Sequence, residues 1–292
     1  MKKVLITGID SFTGRHLSKY LIDCGYDIYG TSLSNSSDKI YKCDITIKDN
    51  FLDVLREVKP NYLIHLSAIS FVGHGDLEEF YKVNTIGTTN ILDSFLELNL
   101  TPDKIILASS ATIYGNQGLE VLDESLCPKP ANHYGASKYA MEALASGYFA
   151  RLPIIITRPF NYTGVGQSEN FLIPKIVNHF REKREVIELG NLDVKREFND
   201  ISFVCEVYKR LLEVDRDSQM VNIASNRGIK LLDIIDSMNE IAGYKIEVKV
   251  NPAFVRKDEI KSLTGSSEKL FDIIGVIAQK SFEDTIREIY EA

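Results

Sequence analysis

The first half of the chain alternates short, almost wholly apolar runs with longer stretches whose apolar positions recur at helical spacing. The runs KKVLITG (2–8), YDIYGTS (26–32), NYLIHLSA (61–68), KIILASSA (104–111) and LPIIITRP (152–159) read as strands. Several are too continuously apolar to keep one face in water. Between them, residues 14–24, 49–58, 76–99 and 132–150 read as amphipathic helices. Strand, helix, strand in this rhythm predicts an α/β fold, a Rossmann-type doubly wound parallel sheet covered on both faces. Past Pro159 the rhythm breaks. FNYTGVGQSENF reads as loop, 172–183 as helix, EVIELG and KREFNDIS flank a turn, and MVNIAS reads as one more strand. A helix (230–242), an exposed strand KIEVKV, a proline-containing loop and two helical stretches complete the chain. With no repeat or low-complexity linker, the expected organisation is a dinucleotide-binding domain over 1–160, with the chain returning to it at about 196–226, and a smaller C-terminal substrate-binding lobe over 161–292.

Composition narrows the classes of function. At 292 residues and 44% hydrophobic, the chain can bury a sizeable core in one large or two intimately joined domains. Its net charge of -7 is spread without a basic block, which argues against nucleic acid. The apolar run after the opening lysines stops at Gly8, too short for a signal sequence, and no stretch reaches membrane-spanning length. A cytoplasmic protein with no membrane partner is expected. Cys24, Cys43, Cys127 and Cys205 stand singly without metal-ligand spacing, so reduced thiols and no metal site are expected.

TGIDSFTGRHL (7–17) falls where the first strand hands over to the first helix. Gly8, Ser11 and Gly14 make either a bare tight turn or a cradle for a pyrophosphate, whose charge the N–H groups of a helix N-terminus stabilise. Its place ahead of the βαβ run favours the cradle. Asp44, in CDIT, reads either as an acceptor for an adenine amino group or as a helix N-cap. The second strand ends in GTSLSNSSDK, hydroxyls with no carboxylate before Asp38. Since an acidic residue there normally holds the ribose 2′-hydroxyl of NAD, Ser32 in that place predicts a preference for NADPH, with NAD as the other option. Lys39 and Arg15 are the candidate cations for the 2′-phosphate.

NHYGASKYAME (132–142) places Tyr134 and Lys138 on one helix face. A nearby ammonium favours the phenolate, which suits proton exchange with a carbonyl/alcohol pair. Tyr-x-x-x-Lys alone is as readily an exposed pair without function. Ser110, in LASSATIYG off the C-terminal end of a buried strand, supplies a third group at the edge where open α/β sheets bind ligands. Asn84, polar within an apolar helical stretch, either satisfies backbone or anchors a proton relay, and the structural role is favoured.

In that order and spacing, TGxxSFTG, HLSA, VNTIGTTN, SSATIYG and YGASK resemble the extended short-chain dehydrogenase/reductase family, the NAD-dependent epimerases and dehydratases of nucleotide sugars. The resemblance spans nearly the whole chain. RPFNYTGVGQSENF, ELGNLDVKREFNDISFV and NPAFVRKDEIKSLTGSSEKL resemble the GDP-4-keto-6-deoxy-D-mannose reductases and their sister GDP-mannose 4,6-dehydratases. The resemblance implies a catalytic triad of Ser110, Tyr134 and Lys138, with Lys138 also on the nicotinamide ribose. It implies that Phe12, Ile45, Leu66, Ala68 and Asn84 join Gly8, Ser11, Gly14, Ser32 and Asp44 around the cofactor. It assigns Asn161, Arg196 and Arg256 to a substrate diphosphate, Glu259 to the nucleotide ribose and Lys175 to the base. The loop of Ser70, Phe71 and Val72, with residues 112–127, would face the sugar. The dehydratase pattern has an acid within two positions of the catalytic serine or threonine, where this chain has Ala111 and Thr112. The expectation is therefore a reductase of a GDP-linked 4-keto-6-deoxy sugar, in deoxysugar and polysaccharide biosynthesis. A 4-epimerase with tightly held NAD is the alternative, since SSATIYG is epimerase-like. A non-catalytic dinucleotide binder is a further alternative, disfavoured because both tyrosine and lysine are kept. The family also implies a homodimer pairing the helices at 77–99 and 132–150.

Overall fold

The computed structural model describes residues 1–70, 75–255 and 259–292. Arg256, Phe71 and Val72 of the expected site lie outside the described residues. In chain order the first half comprises β1 (Lys3–Thr7), α1 (Phe12–Asp23), β2 (Asp27–Ser32), β3 (Ile40–Lys42), α2 (Lys48–Val58), β4 (Tyr62–His65), α3 (Leu77–Tyr81), a π-helical turn (Lys82–Gly87), α4 (Thr88–Glu97), β5 (Lys104–Ala108), a 3-10 turn (Ala111–Tyr114), α5 (His133–Ser146) and β6 (Ile154–Pro159). The second half comprises β7 (Tyr162–Thr163), α6 (Leu172–Arg181), β8 (Val186–Leu189), β9 (Lys195–Glu197), β10 (Asn199–Asp200), α7 (Ile201–Glu213), β11 (Gln219–Ile223), β12 (Gly228–Lys230), α8 (Leu231–Ala242), β13 (Glu247–Val250), β14 (Ser262–Leu263), α9 (Glu268–Ile274) and α10 (Phe282–Glu291).

Seven strands form one parallel sheet in the order β11-β6-β5-β4-β1-β2-β3. The order reverses between β1 and β4, the switch point at which doubly wound sheets bind nucleotides outside their strand ends. The uniformly apolar runs make this sheet because each central strand is covered twice. One face packs Val4, Ile6, Ile64 and Ile106 against α1, α7 and α9. The other packs Leu5, Leu63, Ile105 and Ile156 against α2, α4 and α5. β11 comes from the second half and closes the sheet beside β6. The remaining elements build a smaller unit in which α6, α8 and α10 bury Ile176, Phe180, Ile234, Met238 and Ile286 against β8.

Two elements depart from the pattern reading. The expected continuous helix at 76–99 is interrupted by the π-helical turn, which carries Asn84. α7 falls where no helix was expected, although its polar positions Ser202, Glu206, Lys209 and Glu213 recur at helical spacing opposite the buried Ile201, Val204, Val207, Tyr208 and Leu211.

Candidate active site

The β1–α1 turn fits a dinucleotide pyrophosphate. Gly8 holds φ at +67°, and a Cβ on Gly14 would come within 2.5 Å of the Gly8 carbonyl oxygen, so both glycines are needed to close the turn. Ser11, at the position of the usual middle glycine, turns its side chain back and accepts the Gly14 N–H at 3.0 Å as the N-cap of α1. Its one extra carbon is thereby folded onto the helix, leaving the Phe12 and Thr13 N–H groups at the open helix end. Phe12 stacks on Tyr162 with ring centres 6.3 Å apart.

The end of β2 differs from its expected character. Ser32 is buried, accepts the N–H groups of Ser34 and Asn35, and donates to the Asp10 carboxylate at 2.6 Å. A carboxylate therefore does stand at this strand end, brought there from the glycine turn. Neither candidate cation faces it. Lys39 pairs with Asp27 at the opposite end of β2, 2.5 Å away, and Arg15 donates to the backbone carbonyls of Asp10 at 2.6 Å and Gly166 at 3.4 Å. Asp44 caps no helix; one of its oxygens accepts the Thr46 N–H and hydroxyl in a turn ahead of α2, whose N-cap is Ile47. Ile45 is buried in the core against Gly87, while Leu66 and Ala68, half-buried, and Ser70, exposed, follow the C-terminal end of β4.

Ser110 and Tyr134 meet beyond the C-terminal end of β5. Ser110 is the N-cap of the 3-10 turn and accepts both the backbone N–H of Thr112, at 3.2 Å, and its hydroxyl, at 2.9 Å. With both lone pairs engaged, its own proton is free to be donated toward the nearby Tyr134 phenol. Burial pushes that phenol up to about 12, and the Ser110 hydrogen bond works against the rise. Lys138 was expected to be the group that lowers it. Instead Lys138 donates to the Ala108 carbonyl at 2.7 Å, and burial brings its own ammonium down to about 8, opposed by the Glu142 carboxylate one turn along α5.

Asn84 is fully buried, with both amide protons and one oxygen lone pair engaged by protein, the structural role favoured for it from sequence. It accepts the Ile69 N–H at 2.9 Å and donates to the Ile69 carbonyl and to Ser137 on α5. The π turn lets it reach both, tying the loop after β4 to the helix that carries Tyr134. A second buried chain reinforces this tie. Thr7 accepts the Leu66 and Ser67 N–H groups, which leaves its proton for His65 Nδ1 at 2.7 Å. His65 Nε2 then donates to Thr88 at 2.9 Å, and Thr88 to the Asn84 carbonyl. Burial brings His65 down to about 3, so the ring is neutral, as this chain of donors requires.

On the smaller unit, Arg196 on β9 and Glu259 form an ion pair at 2.6 Å, two residues given separate roles and found to hold each other. Lys175 lies over the Phe254 ring, 4.5 Å from its centre, and donates to the Glu188 carbonyl. Asn161 is exposed just past the C-terminal end of β6. Sequence reasoning missed the buried pair beneath the site, where Arg158 on β6 makes a forked contact with Glu142 at 2.8 Å and donates to Tyr114, which donates to Asn222 on β11. Their one signal was a lone arginine closing an otherwise apolar strand.

Residues 5–289 match the GDP-mannose 4,6-dehydratase family. The chain belongs to that family. Within it, the chain is 36% identical over 274 residues to a GDP-6-deoxy-D-talose 4-dehydrogenase of Aggregatibacter actinomycetemcomitans, covering 94% of this chain and 91% of the relative. It is 27% identical to a GDP-6-deoxy-D-mannose reductase of Pseudomonas aeruginosa, covering 99% and 96%. Among solved structures, a Burkholderia cenocepacia protein provisionally named an epimerase superposes with a TM-score of 0.93 at 37% identity, covering 99% of this chain and 97% of that one. RMD from Pseudomonas aeruginosa complexed with NADPH superposes with a TM-score of 0.88 at 25% identity, covering 100% and 98%. As a member of these extended short-chain dehydrogenase/reductases, the protein is an NAD(P)-dependent oxidoreductase. It departs from the dehydratase pattern where it matters for dehydration: Ala111 and Thr112 carry no acid, and Thr112 is engaged with Ser110. No helix among the described residues is long and apolar enough to cross a membrane.

Proposed function

We propose that this family member reduces the 4-keto group of a GDP-linked 6-deoxyhexose, the reverse of a 4-dehydrogenation. The observation that carries the reading is the buried Tyr134 phenol, held protonated at neutral pH and close enough to the Ser110 hydroxyl to feel it, beyond the C-terminal end of β5 in the parallel sheet. When bound, the reduced nicotinamide supplies the hydride. Tyr134 gives its proton to the sugar oxygen as that oxygen gains charge. Ser110, its lone pairs engaged by Thr112, points its own proton at the same place. Lys138 uses one N–H on Ala108 and keeps others for the cofactor ribose. Arg196 and Glu259 on the smaller unit take the diphosphate and nucleotide ribose, exchanging their mutual ion pair for the ligand.

The GDP-sugar names of both relatives support the base, and the 4-dehydrogenase name of the first supports the position. The expected NADPH preference loses its two supports, since Ser32 is bonded to a carboxylate and neither Lys39 nor Arg15 faces it. We further read the protein as a homodimer through α4 and α5, where Tyr139 and Leu144, with Ile86 on the adjoining π turn, expose apolar surface. Sedimentation showing a monomer at every concentration would remove that reading.

The deciding experiment is reduction of GDP-, dTDP-, CDP- and UDP-linked 4-keto-6-deoxy sugars with either reduced nicotinamide. One NAD(P)H oxidised per GDP-linked sugar, with slower turnover on the other bases, is expected. Interconversion of 4-epimers without net NAD(P)H oxidation would replace this reading with the epimerase.

A further inference from the structure

We propose that Asp10, supplied by the glycine turn, is the residue that selects the dinucleotide, accepting a ribose 2′-hydroxyl and repelling a 2′-phosphate. This rests on the reading that the β1–α1 turn holds a nicotinamide dinucleotide. In doubly wound sheets the group that reads the 2′ position stands at the C-terminal end of β2 and usually belongs to that strand. Here β2 ends in Ser32, and the carboxylate beside it lies 22 residues earlier in the chain.

The packing shows why it is there. β2 carries Gly30, at which a Cβ would fall within 2.5 Å of the Ile9 side chain, so its absence lets Ile9 seat against the strand. The Gly8 and Ile9 N–H groups then both donate to the Thr31 carbonyl, at 2.9 and 3.2 Å, fastening the glycine turn to the end of β2. Asp10 follows directly and meets Ser32. Because Ser32 accepts two backbone N–H groups, its single proton is committed to Asp10 Oδ2. The Asn35 amide also approaches that oxygen, at 3.5 Å. Asp10 is exposed, so its carboxylate is presented to a ligand rather than sunk in the fold. A ribose hydroxyl can donate to such an acceptor, whereas a phosphate dianion would meet its charge.

The cations in reach do not cancel that charge. Lys39 is paired with Asp27, and Arg15 is folded onto backbone carbonyls. Lys42 lies across from Ser32 in the β2–β3 register, exposed on the edge strand, and is the competing determinant.

The test is calorimetric binding to the substrate-free protein of NADH and NADPH, and of ADP-ribose and 2′-phospho-ADP-ribose, which lack the nicotinamide. Wild type is expected to bind each unphosphorylated member at least about tenfold more tightly than its 2′-phosphorylated partner. Asp10→Asn, which keeps the size and an acceptor for Ser32, should narrow both ratios by about tenfold, and Asp10→Ser should do the same, with thermal unfolding showing that each variant is folded. Equal or tighter binding of the phosphorylated members by wild type overturns the proposal, as do ratios unchanged in both variants. A wild-type preference for the 2′-phosphate that disappears in Lys42→Ala overturns it in favour of Lys42. Failure of all four nucleotides to bind folded wild type defeats the dinucleotide reading, and the assignment of Asp10 with it.

Discussion

The floor of the site and its substrate-facing rim are held in different ways. Beneath Tyr134, neutral groups are satisfied by one another: Asn84 by Ile69 and Ser137, His65 by Thr7 and Thr88, Ser110 by Thr112. At the rim, Arg196 and Glu259 neutralise each other with side chains 11% and 21% exposed, and Lys175 borrows a carbonyl and a ring face. A satisfied neutral network has nothing to gain from a ligand and fixes geometry. An ion pair at the edge of the site can be exchanged for a diphosphate, whose oxygens offer the guanidinium the same charge-assisted contacts. Position is stored in the floor and affinity in the rim, and each variant below separates the two.

The largest effect belongs to the reacting proton. Tyr134→Phe keeps the ring against Phe80 and removes the donor, so kcat should fall by about 10²–10⁴-fold with KM nearly unchanged. Steady-state kinetics on the best GDP-linked ketone checks this, and a kcat equal to wild type would show that the floor carries no chemistry.

Stability should be lost most where the floor does contain charge. Arg158 and Glu142 have side chains only 6% and 1% exposed, so Arg158→Met strands a buried carboxylate and should cost about 3–5 kcal/mol. Pairing it with Glu142→Gln should recover much of that loss in denaturant titrations, because the uncompensated charge is gone. A rim variant should behave differently. Arg196→Ala is expected to raise KM by about tenfold while lowering kcat less, since a diphosphate contact is made equally in ground and transition states. Because this pair is only 11% and 21% exposed and Arg196 also donates to the Lys195 and Lys261 carbonyls, unfolding should lose some stability as well, on the order of 1–3 kcal/mol, less than Arg158→Met.

How legible all this was in the sequence follows the same division. The sheet was readable because each central strand is buried on both faces, leaving runs such as IIIT with no polar interruption. Ser110, Tyr134 and Lys138 were readable because two of them share a helix turn and the third ends a strand. α7 was legible as well, in the polar stripe of Ser202, Glu206, Lys209 and Glu213 opposite its buried face, although no helix was expected there. Asp10 was not, because its meaning depends on Ile9 fitting over Gly30, a contact between segments some twenty positions apart. The role expected of Lys138 in lowering the phenol was a spacing argument, and spacing did not reveal that the ammonium would turn to the Ala108 carbonyl.

Lys138 itself gives the smallest and most discriminating prediction. Burial holds its ammonium at about 8 against the usual 10.5. Reduction, if it needs the charged form, should lose rate above about pH 8, approaching a tenfold fall per unit, while Tyr134 at about 12 stays protonated throughout. Stability should move the other way. Below about 8 both folded and unfolded chains carry the proton and the folded one bears the cost of burying it. Between about 8 and 10.5 only the unfolded chain keeps it, so this residue's contribution to stability rises with pH across that window. Lys138→Met should accordingly unfold at a higher temperature than wild type at pH 7, by a margin on the order of 1–2 kcal/mol after the lost Ala108 hydrogen bond is set against the relieved charge, and that margin should shrink by pH 9.5. A margin independent of pH would mean that the buried lysine keeps its proton as the unfolded chain does, so a loss of rate above about pH 8 could not be assigned to its ammonium.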